Sequence, residues 1–289
     1  MHNDIPFVFF GTSHFSVIVL DELRNAGYVP ALIVTQEDKP QGRHMAITPP
    51  PVKVWAEASN VPVIQPKSLK DETTYSELTT NDWELFIVAS YGKIIPQAIL
   101  DIPKYQTLNV HPSLLPKLRG PSPIQGAILN ELETGVTIMR LNSKMDEGPI
   151  VVQEKVTVPN WPPCAYELEE TLAHRGGALL AGVIPKWIDG SISEIPQDDS
   201  VATYCKIIQK TDAYVDLSEN PEVNLRKIRA YAGWPNAYTN ISNNGKEFRL
   251  IIKSAHLEEG KLIMDRIIPE GRKEMNWEDF ERGLHGVQA

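Results

Sequence analysis

A chain of 289 residues, 42% of them hydrophobic, is long enough for two folded domains and has the composition of a globular protein rather than a disordered or fibrous one. Its formal net charge of −9 excludes indiscriminate nucleic-acid binding, although residues 204–289 are charge-balanced and leave room for a local patch. Two cysteines, neither in a Cys-x-x-Cys, suggest no disulfide framework or zinc site; no apolar run reaches membrane-span length and no basic segment precedes the first apolar one, so a cytoplasmic protein is expected.

In chain order, Pro6-Phe-Val-Phe-Phe10 predicts a buried strand, Ser16 to Ala26 a helix closed by Gly27, and Val29 to Thr35 a second strand. Strand, helix, strand opens a doubly wound parallel sheet of Rossmann-like α/β type. Gly11 stands alone without a G-x-G-x-x-G, so no dinucleotide is expected, and His14 reads as a surface residue. Residues 36–53 form a polar connection longer than such loops usually are, which favours a functional role. A helix is expected from Val52 to Ser59, a short strand over Val61-Pro-Val-Ile64, a helix from Asp71 to Thr79, and an apolar strand from Trp83 to Ser90.

The strand from Gln106 to His111 carries Asn109 and His111 two residues apart, hence on one face, and Pro112 ends its ladder. An Asn-x-His pair at a strand end is either a satisfied structural pair or an amide and an imidazole poised for a carbonyl that gains charge. Further along, Pro123 to Asn130 predicts a helix, Thr134 to Leu141 and Ile150 to Val158 strands, and Tyr166 to Trp187 a long amphipathic helix with a weak point at Gly176-Gly177. The polar stretch Asp189 to Thr203 reads as a linker, giving domains over 1–189 and 206–289 with residues 190–205 between them. In the second domain Pro221 to Ala232 is expected to be helical, with Leu225 and Ile228 inward and Arg226, Lys227 and Arg229 outward; 236–241, 248–255 and 261–268 are expected to be strands. The seven histidines show no metal-ligand spacing, so no metal is expected.

The run Asn109-Val-His-Pro-Ser-Leu-Leu-Pro-Lys-Leu-Arg-Gly, followed by Glu133-Thr-Gly-Val-Thr-Ile-Met and Met145-Asp-Glu-Gly-Pro, closely resembles the signature of the folate-dependent formyltransferases. That resemblance implies 10-formyltetrahydrofolate as donor and Asn109, His111 and Asp146 as the catalytic set. It implies folate contacts at Ser113, Leu114, Leu115 and Pro116, where an apolar wall meets a polar handle, and at the turn holding Tyr91, which reads equally well as plain core. Arg119 reads as structural or as a carboxylate partner.

Within the family, Gln36-Glu-Asp-Lys-Pro-Gln-Gly-Arg43 ending in Pro-Val-Lys53, Gly-Trp-Pro at 233–235 and the run from Pro269 to Trp277 resemble the methionyl-tRNA formyltransferase branch. That branch implies initiator methionyl-tRNA as acceptor, with Arg43 contacting it, and a C-terminal barrel of the OB type. His44, Met45 and Ala46 stand where relatives are more basic, and the passage from His256 to Lys261 is short, so an incomplete, OB-like β-rich domain is expected. A monomer is expected. The alternatives are an N-formyltransferase acting on an amino sugar nucleotide, which shares the Asn, His and Asp set, and a non-catalytic folate- or RNA-binding module.

Overall fold

The computed structural model describes residues 5–41, 45–130, 133–243 and 245–285. The chain divides into two compact units. The first comprises Met1–Pro121, Glu133–Thr157 and Glu169–Cys205; the second comprises Ser122–Leu132, Val158–Leu168 and Lys206–Ala289.

The first unit is built on a seven-stranded sheet. Strand β1 (Phe7–Gly11) is wholly buried, as its four large apolar residues require, and leads into helix α1 (His14–Asn25). That helix stops where Gly27 takes φ 89° and the Tyr28 amide bonds back to the Leu23 carbonyl. Strand β2 (Leu32–Val34) follows. Next comes a short hairpin, β3 (Lys39–Gln41) with β4 (Ala46–Thr48), and then α2 (Pro51–Ala58), whose proline occupies the first turn, where no amide hydrogen is needed. Strand β5 (Val63–Ile64), helix α3 (Glu72–Leu78), strand β6 (Leu85–Ala89), the single-turn α4 (Gln97–Leu100) and strand β7 (Thr107–His111) complete the first half.

Helix α5 (Pro123–Asn130) belongs to the second unit; β8 (Thr134–Arg140) and β9 (Ile150–Val156) return to the sheet. Its order is β5-β2-β1-β6-β7-β8-β9. Strands β5, β2, β1, β6 and β7 run parallel, while β8 and β9 are antiparallel additions. On one face Val8, Phe10, Val34, Phe86 and Val88 pack with Leu78, Trp83, Tyr91 and Ile99. Phe7, Phe9, Ile33, Leu85 and Ile87 are equally buried, so the central strands are covered on both sides.

Helix α6 (Ala165–Ile188) starts in the second unit and enters the first at Glu169. Gly176 and Gly177, expected to weaken it, are its points of closest approach. A Cβ at 176 would strike Val110 of β7, and one at 177 would strike Glu22 and Val19 of α1.

Two further expectations are corrected. Residues 36–53 are not one open loop. The hairpin sits inside them, tied down by Lys53 to Asp38 at 2.9 Å and by Gln65 Nε2 to both Asp38 Oδ1 at 2.7 Å and the Gln36 carbonyl at 2.8 Å. Those bonds, Gln65 first and Lys53 second, hold the Asp38 carboxyl below the usual carboxylate range. Residues 190–205 are not a free linker either. Ile195 exchanges two 2.8 Å backbone bonds with Ile150, Glu194 grips Arg140 at 2.6 and 2.8 Å, and residues 197–205 surround Arg119. Most of the segment faces solvent, but Gln197, Asp199 and Tyr204 also turn polar atoms onto the buried Arg119 guanidinium.

In the second unit, α7 (Pro221–Ala230) is capped by Asn220, whose side chain accepts from the Glu222 amide at 2.8 Å. Leu225 and Ile228 point inward as expected, packing with Val215, Ala237, Ile252 and Ala255. Arg226 and Arg229 are not simply outward. Arg226 donates to the carbonyl of Ile128 at 2.7 Å, and Arg229 donates to that of Pro162. The first of these reaches a carbonyl in the last described turn of α5.

Strands β10 (Tyr238–Asn243), β11 (Lys246–Glu258), β12 (Lys261–Pro269) and β13 (Met275–Asn276) form an antiparallel sheet in sequence order. Glu259 and Gly260, both at positive φ, make the tight β11–β12 turn. The sheet has four strands where a full OB barrel has five, as the shortened sequence implied. Helix α8 (Trp277–His285), not foreseen, seats Phe280 beside Leu250 and Ile267.

Candidate active site

Strand β7 lies where the sheet changes from parallel to antiparallel, with Asn109 between Val88 of β6 and Met139 of β8. Asn109 and His111 share a face near the carboxyl end of the strand and are 8% and 4% exposed. Among the described residues the Asn109 side chain takes no hydrogen bond, although His111 beside it is held firmly. The His111 Nε2 lies 3.1 Å from the Leu118 carbonyl oxygen. A carbonyl only accepts, so Nε2 carries the hydrogen and Nδ1 becomes the position that gains or loses a proton.

Nδ1 faces Asp146, whose Oδ1 lies 3.8 Å away, an ion-pair distance rather than a hydrogen bond. Asp146 Oδ2 accepts from the Gly120 amide at 2.8 Å. Asp146 itself stands at φ 54°, a left-handed conformation that turns its side chain back toward β7. The imidazole and carboxylate expected to meet therefore do so.

The turn after β7 supplies the rest of the frame. Leu118 at φ 60° and Gly120 at φ 109° present, respectively, the carbonyl for His111 and the amide for Asp146. A Cβ at 120 would strike the Cys205 carbonyl. The Thr137 hydroxyl donates to the Ser113 carbonyl at 2.6 Å and accepts from the Leu115 amide at 3.2 Å, and Gln153 Nε2 reaches the Leu115 carbonyl at 2.6 Å. Thr137 lies inside the Glu133–Met139 run but the sequence gives it no role of its own, and its cross-strand partner Gln153 carries no local motif.

The residues expected to contact folate divide. Leu114 and Pro116 are half-buried, with surface still open to a ligand, while Leu115 is buried. Ser113 is buried and its hydroxyl is already donated to the Lys117 carbonyl at 2.7 Å, so it supports the turn rather than offering a polar handle. Tyr91 belongs to the core, edge-on to Phe10 at 5.6 Å, and its carbonyl is occupied by Thr12 and Gln36. Its hydroxyl has no partner among the described residues, and burial pushes the phenol up to about 12. Arg119 is fully buried and pairs with Asp199 at 2.7 Å, so both parts of its expected description hold. Arg43 lies outside the described residues.

Residues 5–184 match the family described as formyl transferase, and the chain belongs to that family. Among its relatives, a methionyl-tRNA formyltransferase from Chloroflexus aurantiacus is 45% identical, the match spanning 80% of this chain and 75% of the relative. A methionyl-tRNA formyltransferase from Bacillus licheniformis is 36% identical across 98% of this chain and 96% of its own length. Among solved structures, a sugar N-formyltransferase from a Shewanella species superposes with a TM-score of 0.65 at 18% identity, covering 88% of this chain and 99% of that one. At that identity the likeness concerns the fold.

Proposed function

We propose that the chain transfers a formyl group from 10-formyltetrahydrofolate to the α-amino group of methionine esterified to initiator tRNA. The observation that carries this reading is the match to the Bacillus methionyl-tRNA formyltransferase over 96% of that enzyme's length, C-terminal part included. A shared fold with a sugar-modifying enzyme carries no information about the acceptor, because one fold hosts several substrates.

In this mechanism the amine nitrogen attacks the formyl carbon and the carbonyl pair moves onto oxygen. The bond from that carbon to N10 then breaks, and the proton lost by the amine ends on N10. Asn109 donates its amide hydrogen to the developing oxyanion from an almost dry strand end. His111, its Nε2–H held by the Leu118 carbonyl, turns Nδ1 toward Asp146 and, when protonated there, adds positive charge beside that oxygen. Asp146 balances the charge, takes the amine's proton directly or through a water, and passes it on to N10 as the bond from the formyl carbon breaks. Leu114 and Pro116 give the donor's ring system an apolar wall.

The test is to incubate the purified protein with 10-formyltetrahydrofolate and charged initiator tRNA, hydrolyse the ester and quantify formylmethionine. A parallel reaction contains a 4-amino sugar nucleotide. Formylmethionine is expected in the first and no product in the second; formylation of the sugar alone would overturn the reading.

A further inference from the structure

We infer that Gln197 is a positioning residue for Asp146, and that residues 197–205 form a strap holding both partners of His111 in register. This rests on the reading of His111 and Asp146 as catalytic.

Gln197 has its whole amide engaged. Nε2 donates to the carbonyls of Asp146 and Gly148, each at 2.7 Å, and Oε1 accepts from Arg119 Nε at 3.0 Å. Both carbonyls lie in the 146–148 turn, which opens at the left-handed Asp146. Arg119 in turn donates to Tyr204 Oη at 3.0 Å and to Asp199 at 2.7 Å.

Its backbone is paired with the same segment. The Arg119 amide bonds to the Thr203 carbonyl at 2.9 Å, the Cys205 amide to the Arg119 carbonyl at 2.8 Å, and the Leu118 amide to Thr203 Oγ1 at 2.9 Å. Three successive residues thereby divide the work. Leu118 gives His111 its acceptor, Arg119 anchors the strap, and Gly120 gives Asp146 its donor. Gln197 closes the circuit by tying the strap to the Asp146 turn itself. A strap serving stability alone would need the Arg119 contacts but not the two bonds from Gln197 to the 146–148 turn.

Gln197→Glu separates these roles. It keeps an acceptor for Arg119 and loses both hydrogens for the turn. Gln97→Glu is the control, making the same amide-to-carboxylate change at an exposed residue outside the strap, where Nε2 bonds only to Asp101 among the described residues. Expected in Gln197→Glu is a fall in kcat of about tenfold or more with KM for both substrates within about twofold, since misplacing a catalytic group by an ångström costs up to about 10². Amide exchange at Gly120, protected by the Asp146 carboxylate, is expected to quicken about tenfold in the same variant. Gln97→Glu should leave kcat and Gly120 exchange unchanged. Unaltered Gly120 exchange in Gln197→Glu, or equal losses in the two variants, would overturn the inference. Should the wild type transfer no formyl group to tRNA, the exchange measurement still decides the role of Gln197.

Discussion

Asp146→Asn probes the site with almost no change of shape. In the wild type one carboxylate oxygen accepts from the Gly120 amide at 2.8 Å while the other faces His111 Nδ1 at 3.8 Å. An amide must keep its oxygen on Gly120, because its NH₂ cannot accept. The NH₂ then faces His111 and a negative charge is replaced by a donor. Two unit charges at that separation attract by about 4 kcal/mol at an effective dielectric of about 20. Burial of the ring is the same in both proteins, so it does not cancel from one side only. If the imidazolium forms on the way to the transition state, up to about 10³ in rate is lost, at about 1.4 kcal/mol per factor of ten. The assay is single-turnover formylation with saturating 10-formyltetrahydrofolate and charged initiator tRNA, alongside a melting curve. A fall of about 10²–10³ at unchanged melting temperature is expected. Turnover within a factor of about three of wild type would show that His111 does not carry charge in the reaction.

Asn109→Ala removes the amide donor and should lower kcat by about 10²–10³ with little change in KM, read from the same assay. Arg43→Ala should raise KM for charged tRNA while leaving that for the formyl donor unchanged; a shift in donor KM alone would contradict its assignment to tRNA. Tyr91→Phe deletes a buried hydroxyl that has no partner among the described residues, so it should stabilise the protein by about 1 kcal/mol, seen as a rise of about 2–4 °C in melting temperature. A rise in donor KM in that variant would instead return Tyr91 to the folate pocket. The same burial gives a pH signature: with its phenol pushed up from 10.0 to about 12, Tyr91 contributes stability fully present below pH 10 and lost as pH rises through about 12, because the unfolded chain ionises first. Denaturant titrations across that range should show the decline in wild type, and Tyr91→Phe should abolish that part of it.

Strands β1, β6 and β7 were legible because runs such as Phe7 to Phe10 and Leu85 to Ala89 have no other place than the middle of a sheet. Asn109 and His111 were legible as a pair through strand alternation, and Asp146 only through the long motif around it. The hairpin at 39–48 was hidden because Pro40 sits in one of its strands and half its residues are polar; edge strands tolerate both. The contacts of residues 197–205 were hidden for a different reason. Composition reports that a segment is polar, not whether its polar groups face water or a buried guanidinium such as Arg119. Arg226 and Arg229 were misplaced by the same ambiguity, since a helix wheel marks the apolar stripe and leaves open what else touches the remaining faces. Strand alternation assigns Asn109 its face, but that its side chain takes no hydrogen bond among the described residues depends on which neighbours already have partners.

The acceptor opposite His111 is a main-chain oxygen, and a main-chain oxygen has no codon. Changing the Leu118 side chain cannot delete it. A substitution scan would therefore score position 118 by how well each residue tolerates a left-handed backbone, with asparagine and glycine mild and valine or isoleucine severe. The ring's tautomer would be inherited through backbone shape, invisible to any survey that looks for polar side chains around the histidine.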